Sequence, residues 1–263
     1  MKISYVLSAF PKMLLALLVT LNLAFAQAPK PTAIESMKYR FESTEGTNAS
    51  AVAFIPGPKV FITVIAGNAS FPMEVFDMSG STIHIREAGL DLRGIWYNPK
   101  SNTLEANAYG ESGWFSRELN SEGLPIGDWK CIKEGMHQPE EQSVLSYDPT
   151  VRKLITIQDE TFFLFSRKNG KGKPAHQHGT PGDTDWYINP YVAAYTGNDA
   201  YPIAVLELNG DQILYFDLNG KYQGATQIEG GLPEIDGFRF SFAGNMAWIY
   251  DESVRTWTAY RVF

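Results

Sequence analysis

The sequence predicts an all-β fold, a five-bladed β-propeller with four antiparallel strands in each blade, from three observations. An aromatic residue followed by a turn pair recurs five times, at spacings of 43, 50, 48 and 47 residues. A glycine recurs in register with this pattern in the first four copies. Short alternating apolar runs are frequent, while no window of a dozen residues after residue 35 keeps the 3.6-residue period of a helix. A period in the forties built from strands is typical of propeller blades.

The recurring aromatic residues, which we call the anchor aromatics, each end an apolar run. They are Phe54, Tyr97, Tyr147, Tyr195 and Phe242. The recurring glycines follow the first four anchors by 26, 26, 23 and 25 residues, and they are Gly80, Gly123, Gly170 and Gly220. Two features that repeat in register are much harder to obtain by chance than one, so the pattern favours a true structural repeat.

The second copy shows the predicted blade most clearly. Strands are expected over residues 92–97, 103–109, 114–119 and 126–132. The intervening segments are rich in Gly, Asn, Ser and Pro, which are turn-forming residues. Four antiparallel strands joined by such turns make one blade.

The fifth copy has only three predicted strands, the last over residues 257–263. An unassigned alternating segment, residues 37–42, can supply the fourth. If these two segments pair, the ring closes with a strand from each terminus and leaves no open sheet edge. The alternative is an open sandwich of two sheets.

At the level of fold, the chain resembles the NHL and SMP-30-like group of propellers. Turns of the form aromatic-Asp-Pro, such as Tyr147-Asp148-Pro149, are common in that group. The resemblance covers residues 37–263 and implies a propeller fold. No residues match a catalytic signature of those families, so the resemblance implies no activity and no site residues.

Residues 1–26 have the pattern of a signal peptide, which predicts a secreted or periplasmic protein. Lys2 and Lys12 form the positive region that precedes an apolar stretch, residues 13–25. The segment ends in the small-residue cleavage site Ala24-Phe25-Ala26. An uncleaved anchor is the alternative, but 13 residues are short for about 30 Å of hydrocarbon. Residues 27–35 are predicted to be a flexible mature terminus, and residues 36–263 a single propeller domain with no membrane insertion.

The charge of the chain argues against nucleic acid and anionic lipid as partners. Removal of residues 1–26 would leave 20 basic and 29 acidic residues, a net charge of −9. Cys131 is the only cysteine, so no internal disulfide can form. We expect Cys131 to be buried in an outer strand and unreactive, because an exposed thiol in an exported protein risks dimerisation.

The order of strands in a blade assigns each loop to one face of the ring. The lower face carries the turns between the first and second and between the third and fourth strands; the upper face carries the other loops. Acidic residues dominate the predicted upper loops and basic residues the lower turns, so the sequence predicts a negative upper face and a mildly positive lower face. Six residues before each anchor stands a carboxylate or amide, and this predicted polar ring consists of Asn48, Asp91, Glu141, Asn189 and Asp236.

The polar ring is the predicted ligand site, at the upper mouth of the central channel. Its oxygens suit a divalent cation such as Ca²⁺, or the hydroxyls of a glycan or other small polar ligand, or a protein partner. The alternative is that these residues are ordinary turn formers that point to water. A second metal candidate, His176 and His178 with Asp183 and Asp185, lies in a segment of loop composition.

Nucleophilic and phosphate-binding motifs are absent from the sequence. The leading interpretation is an exported, non-catalytic propeller that binds a ligand, cation or protein at an acidic channel mouth. The alternative is a carbohydrate-active hydrolase or lyase using Asp91, Glu141 and Asp236, because glycoside hydrolysis needs paired carboxyl groups. A structural module of a larger envelope assembly is a third interpretation.

Overall fold

A computed structural model describes residues 27–177, 179 and 186–263 of the chain. The segment predicted to be a signal peptide lies outside these residues, as do His178, Asp183 and Asp185. Within the described residues, no helix has the length and apolar character that a membrane crossing requires.

The chain forms five four-stranded antiparallel sheets, which are the five predicted blades. Blade I contains β2 (Ala49–Ile55), β3 (Val60–Ile65), β4 (Pro72–Phe76) and β5 (Thr82–Glu87). Blade II contains β6 (Leu92–Asn98), β7 (Thr103–Ala108), β8 (Trp114–Leu119) and β9 (Pro125–Lys133), with a short 3-10 turn (Gly110–Ser112) between β7 and β8. These strands of blade II match the sequence prediction to within two residues at each end.

The remaining blades follow the same order along the chain. Blade III contains β10 (Ser146–Asp148), β11 (Lys153–Gln158), β12 (Thr161–Ser166) and β13 (Gly172–His176). Blade IV contains β14 (Ala194–Tyr195), β15 (Ile203–Glu207), β16 (Gln212–Phe216) and β17 (Tyr222–Gln227). Blade V contains β18 (Phe240–Ala243), β19 (Met246–Asp251), β20 (Thr256–Arg261) and, from the N-terminal side of the chain, β1 (Ile34–Arg40).

Closure of the ring by β1 is confirmed. The strand pairs antiparallel with β20, with Tyr39 opposite Trp257 and Arg40 opposite Thr256. Tyr39 is fully buried, stacks on Phe76 of blade I at 3.7 Å between ring centroids, and donates a hydrogen bond to buried Glu74. The terminal strand therefore joins blade V to blade I, and the all-β propeller is closed.

Residues 30–33, which precede the predicted domain boundary at residue 36, form backbone hydrogen bonds with the propeller. Lys30 N donates to Val262 O at 2.7 Å, and Ala33 N donates to Gln227 O at 2.9 Å. Residues 30–33 thus contact the last residues of blade V and the outer strand of blade IV before the chain enters β1. Their backbone groups are satisfied by two neighbouring blades, which the Pro-rich composition of the segment did not indicate.

The five innermost strands, β2, β6, β10, β14 and β18, surround the central channel, and each is in contact with the next around the ring. Serine hydroxyls join some of these strands directly. Ser241 Oγ accepts from Val52 N at 2.9 Å, and Ser146 Oγ accepts from Tyr195 N at 2.8 Å. The channel wall is therefore held together by hydrogen bonds between blades as well as by apolar packing.

Candidate functional site

The upper end of the channel is filled by the side chain of Arg93, from β6. Its guanidinium pairs with Asp91, donates to Gln142 Oε1 at 2.8 Å, and lies 4.7 Å from the ring centroid of Tyr109. It also lies 5.4 Å from the centroid of Phe238, at the start of blade V. Blades II and V are not neighbours in the ring, so Arg93 reaches across the channel.

Side chains from several blades meet at this point, which we call the upper plug. Phe238 packs edge-to-face against Tyr191, from the link into blade IV, at 5.8 Å. The Arg93 side chain is only 5% exposed. Burial of an arginine is tolerable because the carboxylate of Asp91 neutralises it and the two aromatic rings offer cation–π contact. The upper plug therefore occupies the mouth at which the sequence predicts a ligand site.

Two members of the polar ring belong to this plug. Asp91 accepts from Gly67 N at 2.7 Å in addition to its ion pair with Arg93. Glu141 is exposed, and its nearby carboxylate raises the pKa of the Tyr109 hydroxyl. The carboxylate of Asp91 therefore already has partners from the protein itself.

The other three members of the ring contact different residues. Asn189 is buried, donates to Gly237 O at 2.9 Å and accepts from Tyr191 N at 2.9 Å. Asn48 also lies beside Gly237, with its Oδ1 buried and without a partner among the described residues. Asp236 borders a separate surface depression with Arg239 and Glu252.

The contacts of the ring place Asp91 beside Arg93, and both Asn48 and Asn189 beside Gly237. Among residues 27–177, 179 and 186–263, no three His, Cys, Asp or Glu side chains are arranged to hold a metal ion. Ligand binding by the polar ring stays a prediction. The hydrogen bonds of Asp91 and Asn189 fix both side chains in the protein.

The lower end of the channel holds a cavity of about 360 Å³, which we call the lower cavity. All five innermost strands contribute to its wall, and the first turns of the blades form its rim, including Pro56, Pro99 and Pro149. Its volume falls within the range of about 300–1,000 Å³ that small-molecule sites occupy. The propeller thus offers a concave space at the face opposite to the predicted one.

All five anchor aromatics line the lower cavity. They occupy equivalent positions near the ends of the innermost strands, so the fivefold repeat places one aromatic residue from each blade at one opening. Three of them, Phe54, Tyr97 and Tyr195, are partly exposed, and Tyr147 and Phe242 are 7% and 8% exposed. The signal for this site was present in the sequence, since the anchors were its most regular feature.

Two carboxylates lie near Tyr195 at the edge of the lower cavity. The Tyr195 hydroxyl donates to Asp199 Oδ1 at 3.3 Å, and Asp148 lies close enough to act on both groups. Burial raises the pKa of Tyr195 to about 12, and it also raises the pKa of Asp148. The Asp148 carboxylate accepts from Thr150 N at 2.8 Å, which fixes its position at the end of β10.

A buried ion pair lies behind the cavity wall, between blades II and III. Glu105 is 1% exposed and accepts two hydrogen bonds of 2.7 Å from Arg167. It also accepts from Trp96 Nε1 at 3.0 Å and from Asn98 Nδ2 at 2.7 Å. Because Trp96 lines the cavity, this network holds one part of the wall in place.

Two further candidates from the sequence are located by the structure. Cys131 lies in β9 as expected, but its side chain is exposed, so the prediction of a buried thiol is wrong. The reason is that β9 is the outermost strand of its blade, with a neighbour on one side only, and Cys131 lies in contact with solvent. His176 is exposed at the end of β13, and its Nδ1 lies 3.3 Å from Thr161 Oγ1.

The similarity of this chain to known proteins is a similarity of fold. No family model and no curated protein sequence matches the chain. A protein of unknown function from Bacteroides thetaiotaomicron VPI-5482 aligns with a TM-score of 0.51 at 9% identity, over 90% of this chain and 77% of that one. A gluconolactonase from Xanthomonas campestris aligns with a TM-score of 0.49 at 11% identity, over 90% of this chain and 99% of that one.

A chain of the nidogen/laminin complex aligns with a TM-score of 0.46 at 12% identity, over 70% of this chain. The match spans 65% of that chain, which is slightly less than two thirds of its length. At these identities the shared property is the propeller architecture. The chain is a five-bladed β-propeller with distant structural relatives.

Proposed function

We propose that this protein is an exported, non-catalytic propeller that binds a small ligand in the lower cavity. The observation that supports this function is that an anchor aromatic from each of the five blades lines one cavity of about 360 Å³. Aromatic side chains bury large apolar areas and supply much of the binding energy at small-molecule sites. The site proposed from geometry therefore differs from the polar ring at the upper mouth.

The hydrolase alternative receives less support. Glycoside hydrolysis needs one protonated carboxyl group and one ionised carboxylate, free to act together on a substrate. Of the three carboxylates considered for that role, Asp91 is paired with Arg93, Glu141 acts on the nearby Tyr109 hydroxyl, and Asp236 borders a different depression. The pairing of Asp91 with Arg93 would have to be broken before a sugar could bind between the carboxyl groups.

Ligand-observed NMR with indole and phenol as probes tests cavity binding. We expect saturation transfer from the wild-type protein to both probes, because each presents one apolar ring of suitable size. Tyr97→Ala should reduce the transfer strongly, since it removes one aromatic wall of the cavity. Tyr187→Ala is the matched control, because Tyr187 is 58% exposed and does not line the cavity. Equal binding by all three proteins, or no transfer from the wild type, would reject this site.

Export is proposed from the composition of residues 1–26. Expression of the full chain in a bacterial host with intact export should yield a periplasmic or secreted protein whose mass corresponds to a chain beginning at Gln27. A cytoplasmic protein that retains residues 1–26 would contradict the proposal.

A further inference from the structure

We infer that the ligand of the lower cavity is an uncharged molecule with a largely apolar body and its polar group at the rim. This inference rests on the proposed function and adds the chemical class of the ligand. Three features of the cavity support it: a described lining without charged residues, an apolar floor, and wall hydroxyls that are bonded within the protein.

The charged residues near the lower cavity do not line it. Among the described residues, its lining contains no Asp, Glu, Lys, Arg or His. Charges of both signs follow or end the first strands outside this lining: Lys59, Lys100 and Arg152, and against them Asp148 and Asp199. An ionised group enclosed in the cavity would lose its water and contact no opposite charge, which is strongly unfavourable. The enclosed part of the ligand is therefore uncharged.

The floor of the lower cavity, its end toward the middle of the channel, is apolar. The innermost strands run from the upper to the lower face, so residues that precede the anchors along the chain lie deeper than the anchors. The deeper lining residues include Val52, Val144, Val192 and Phe240, and all four are buried. An apolar ligand body that covers this surface removes it from water, which favours binding.

The wall hydroxyls of serine and threonine are bonded within the protein. Ser241 Oγ accepts from Val52 N at 2.9 Å and donates to Val52 O at 3.1 Å. Thr196 Oγ1 accepts from Asn198 N at 3.0 Å and donates to Tyr201 O at 2.6 Å. A ligand that buried several hydroxyls against these side chains would leave some of them unpaired, which is unfavourable.

Asn245 places an uncharged polar group at the rim. It follows the anchor Phe242 beyond the end of β18, lines the cavity and is exposed. Its side-chain amide contains both a hydrogen-bond donor and an acceptor. A ligand whose apolar body covers the floor can therefore keep one neutral polar group, such as a hydroxyl or an amide, beside Asn245 and near solvent.

Isothermal titration calorimetry at neutral pH with benzyl alcohol, benzoate and benzylammonium tests the inference. The three probes share one aromatic ring with a one-carbon polar substituent, and they differ in its charge: none, negative and positive. We expect benzyl alcohol to bind about tenfold more tightly than either ion, because each ion loses hydration in the cavity without gaining an opposite charge.

A variant with a charge at the rim tests the position of the polar group. Asn245→Asp adds a carboxylate, and aspartate tolerates the left-handed backbone of residue 245, where φ is 61°. We expect this variant to bind benzylammonium about two- to fivefold more tightly than the wild type and benzoate more weakly. Asn209→Asp is the matched control, because Asn209 is exposed in an upper loop of blade IV and does not line the cavity. Circular dichroism melting verifies that each variant is folded.

The outcomes separate this inference from the proposed function. Preference for benzyl alcohol over both ions, with a gain of benzylammonium affinity in Asn245→Asp alone, supports the inference. Equal affinity for the three probes, or tighter binding of either ion by the wild type, overturns it and leaves a cavity that binds small molecules by another criterion. Unchanged benzylammonium affinity in Asn245→Asp overturns the placement of the polar group beside Asn245. Failure of benzyl alcohol to bind while indole and phenol bind overturns the inference alone, and failure of all five probes overturns the proposed function as well.

Discussion

Asn107 shows how a single residue fixes the spacing of the channel wall. Its buried amide oxygen accepts from Gly94 N at 2.9 Å and from Leu145 N at 3.2 Å. Its amide nitrogen donates to Gln138 Oε1 and to Ser143 O, both at 2.8 Å. One side chain therefore joins blade II to the link that leads into blade III, and both of its buried polar atoms have partners.

Substitution of Gly94 tests this close approach. A Cβ at residue 94 would lie 2.2 Å from Leu145 O and 2.7 Å from Asn107 Oδ1, so the strands would have to separate. We expect Gly94→Ala to lower the free energy of unfolding by about 1–3 kcal/mol or more. Gly57→Ala is the matched control, because a Cβ at residue 57 would meet nothing within 4 Å and the backbone there is not left-handed. Equal urea midpoints for the two variants would contradict the close packing.

The exposure of Cys131 gives a second prediction at the residue scale. The thiol lies on an edge strand in solvent, so a thiol reagent such as DTNB should label it in the native protein as fast as in the unfolded chain. Cys131→Ser should abolish the labelling and leave stability unchanged within about 0.5 kcal/mol. Labelling only after addition of denaturant would show that the thiol is protected.

At the scale of the element, neighbouring blades are joined by polar contacts that the strand pattern does not reveal. The Glu105–Arg167 pair links β7 of blade II to the turn after β12 in blade III. Glu105 has 2% of its side chain exposed, while Arg167 keeps 23% of its side chain exposed. The pair thus holds two sheets together at the back of the cavity wall.

Removal of the Glu105 carboxylate should be costly. Glu105→Ala leaves Arg167, Trp96 and Asn98 without their common acceptor, and we expect a loss of about 2–4 kcal/mol in unfolding free energy. Glu118→Ala provides the control, because the side chains of the Glu118–Lys130 pair are 60% and 69% exposed and the pair should contribute less than about 1 kcal/mol. Equal melting temperatures for the two variants would contradict a structural role for the buried pair.

Much of the element level was predictable from the sequence, because local turn chemistry repeats. The recurring glycines Gly80, Gly123, Gly170 and Gly220 all have φ between 71° and 85°, which explains why glycine returns at that turn. The site was less predictable. The polar ring rests on turn composition, which does not reveal the hydrogen-bond partners of its members. Arg93 is the only basic residue in the five innermost strands, but it does not repeat from blade to blade and so is not part of the pattern.

At the scale of the whole molecule, closure by β1 determines whether the ring has an open edge. Deletion of residues 27–43 removes the strand that covers β20 and the Tyr39 side chain that stacks on Phe76. The truncated protein should melt at a markedly lower temperature or aggregate, because an uncovered strand edge can pair with other chains. A monomeric truncated protein as stable as the full one would contradict a ring closed by β1.

The two ends of the channel have opposite characters in this molecule. The upper end is occupied by Arg93 and its partners, while the lower end retains an aromatic-lined space. The repeat explains the asymmetry, since each blade delivers its anchor to the lower end, whereas the residues at the upper end differ from blade to blade. A ligand should therefore bind at the lower cavity and leave the upper plug intact.

A crystal structure of the protein with bound indole provides the decisive test. We expect ligand density in the lower cavity, next to the anchor aromatics, and Arg93 still paired with Asp91. Density at the upper mouth instead, among Asn48, Asp91, Glu141, Asn189 and Asp236 with Arg93 displaced, would contradict binding at the lower cavity and would favour the polar ring as the site.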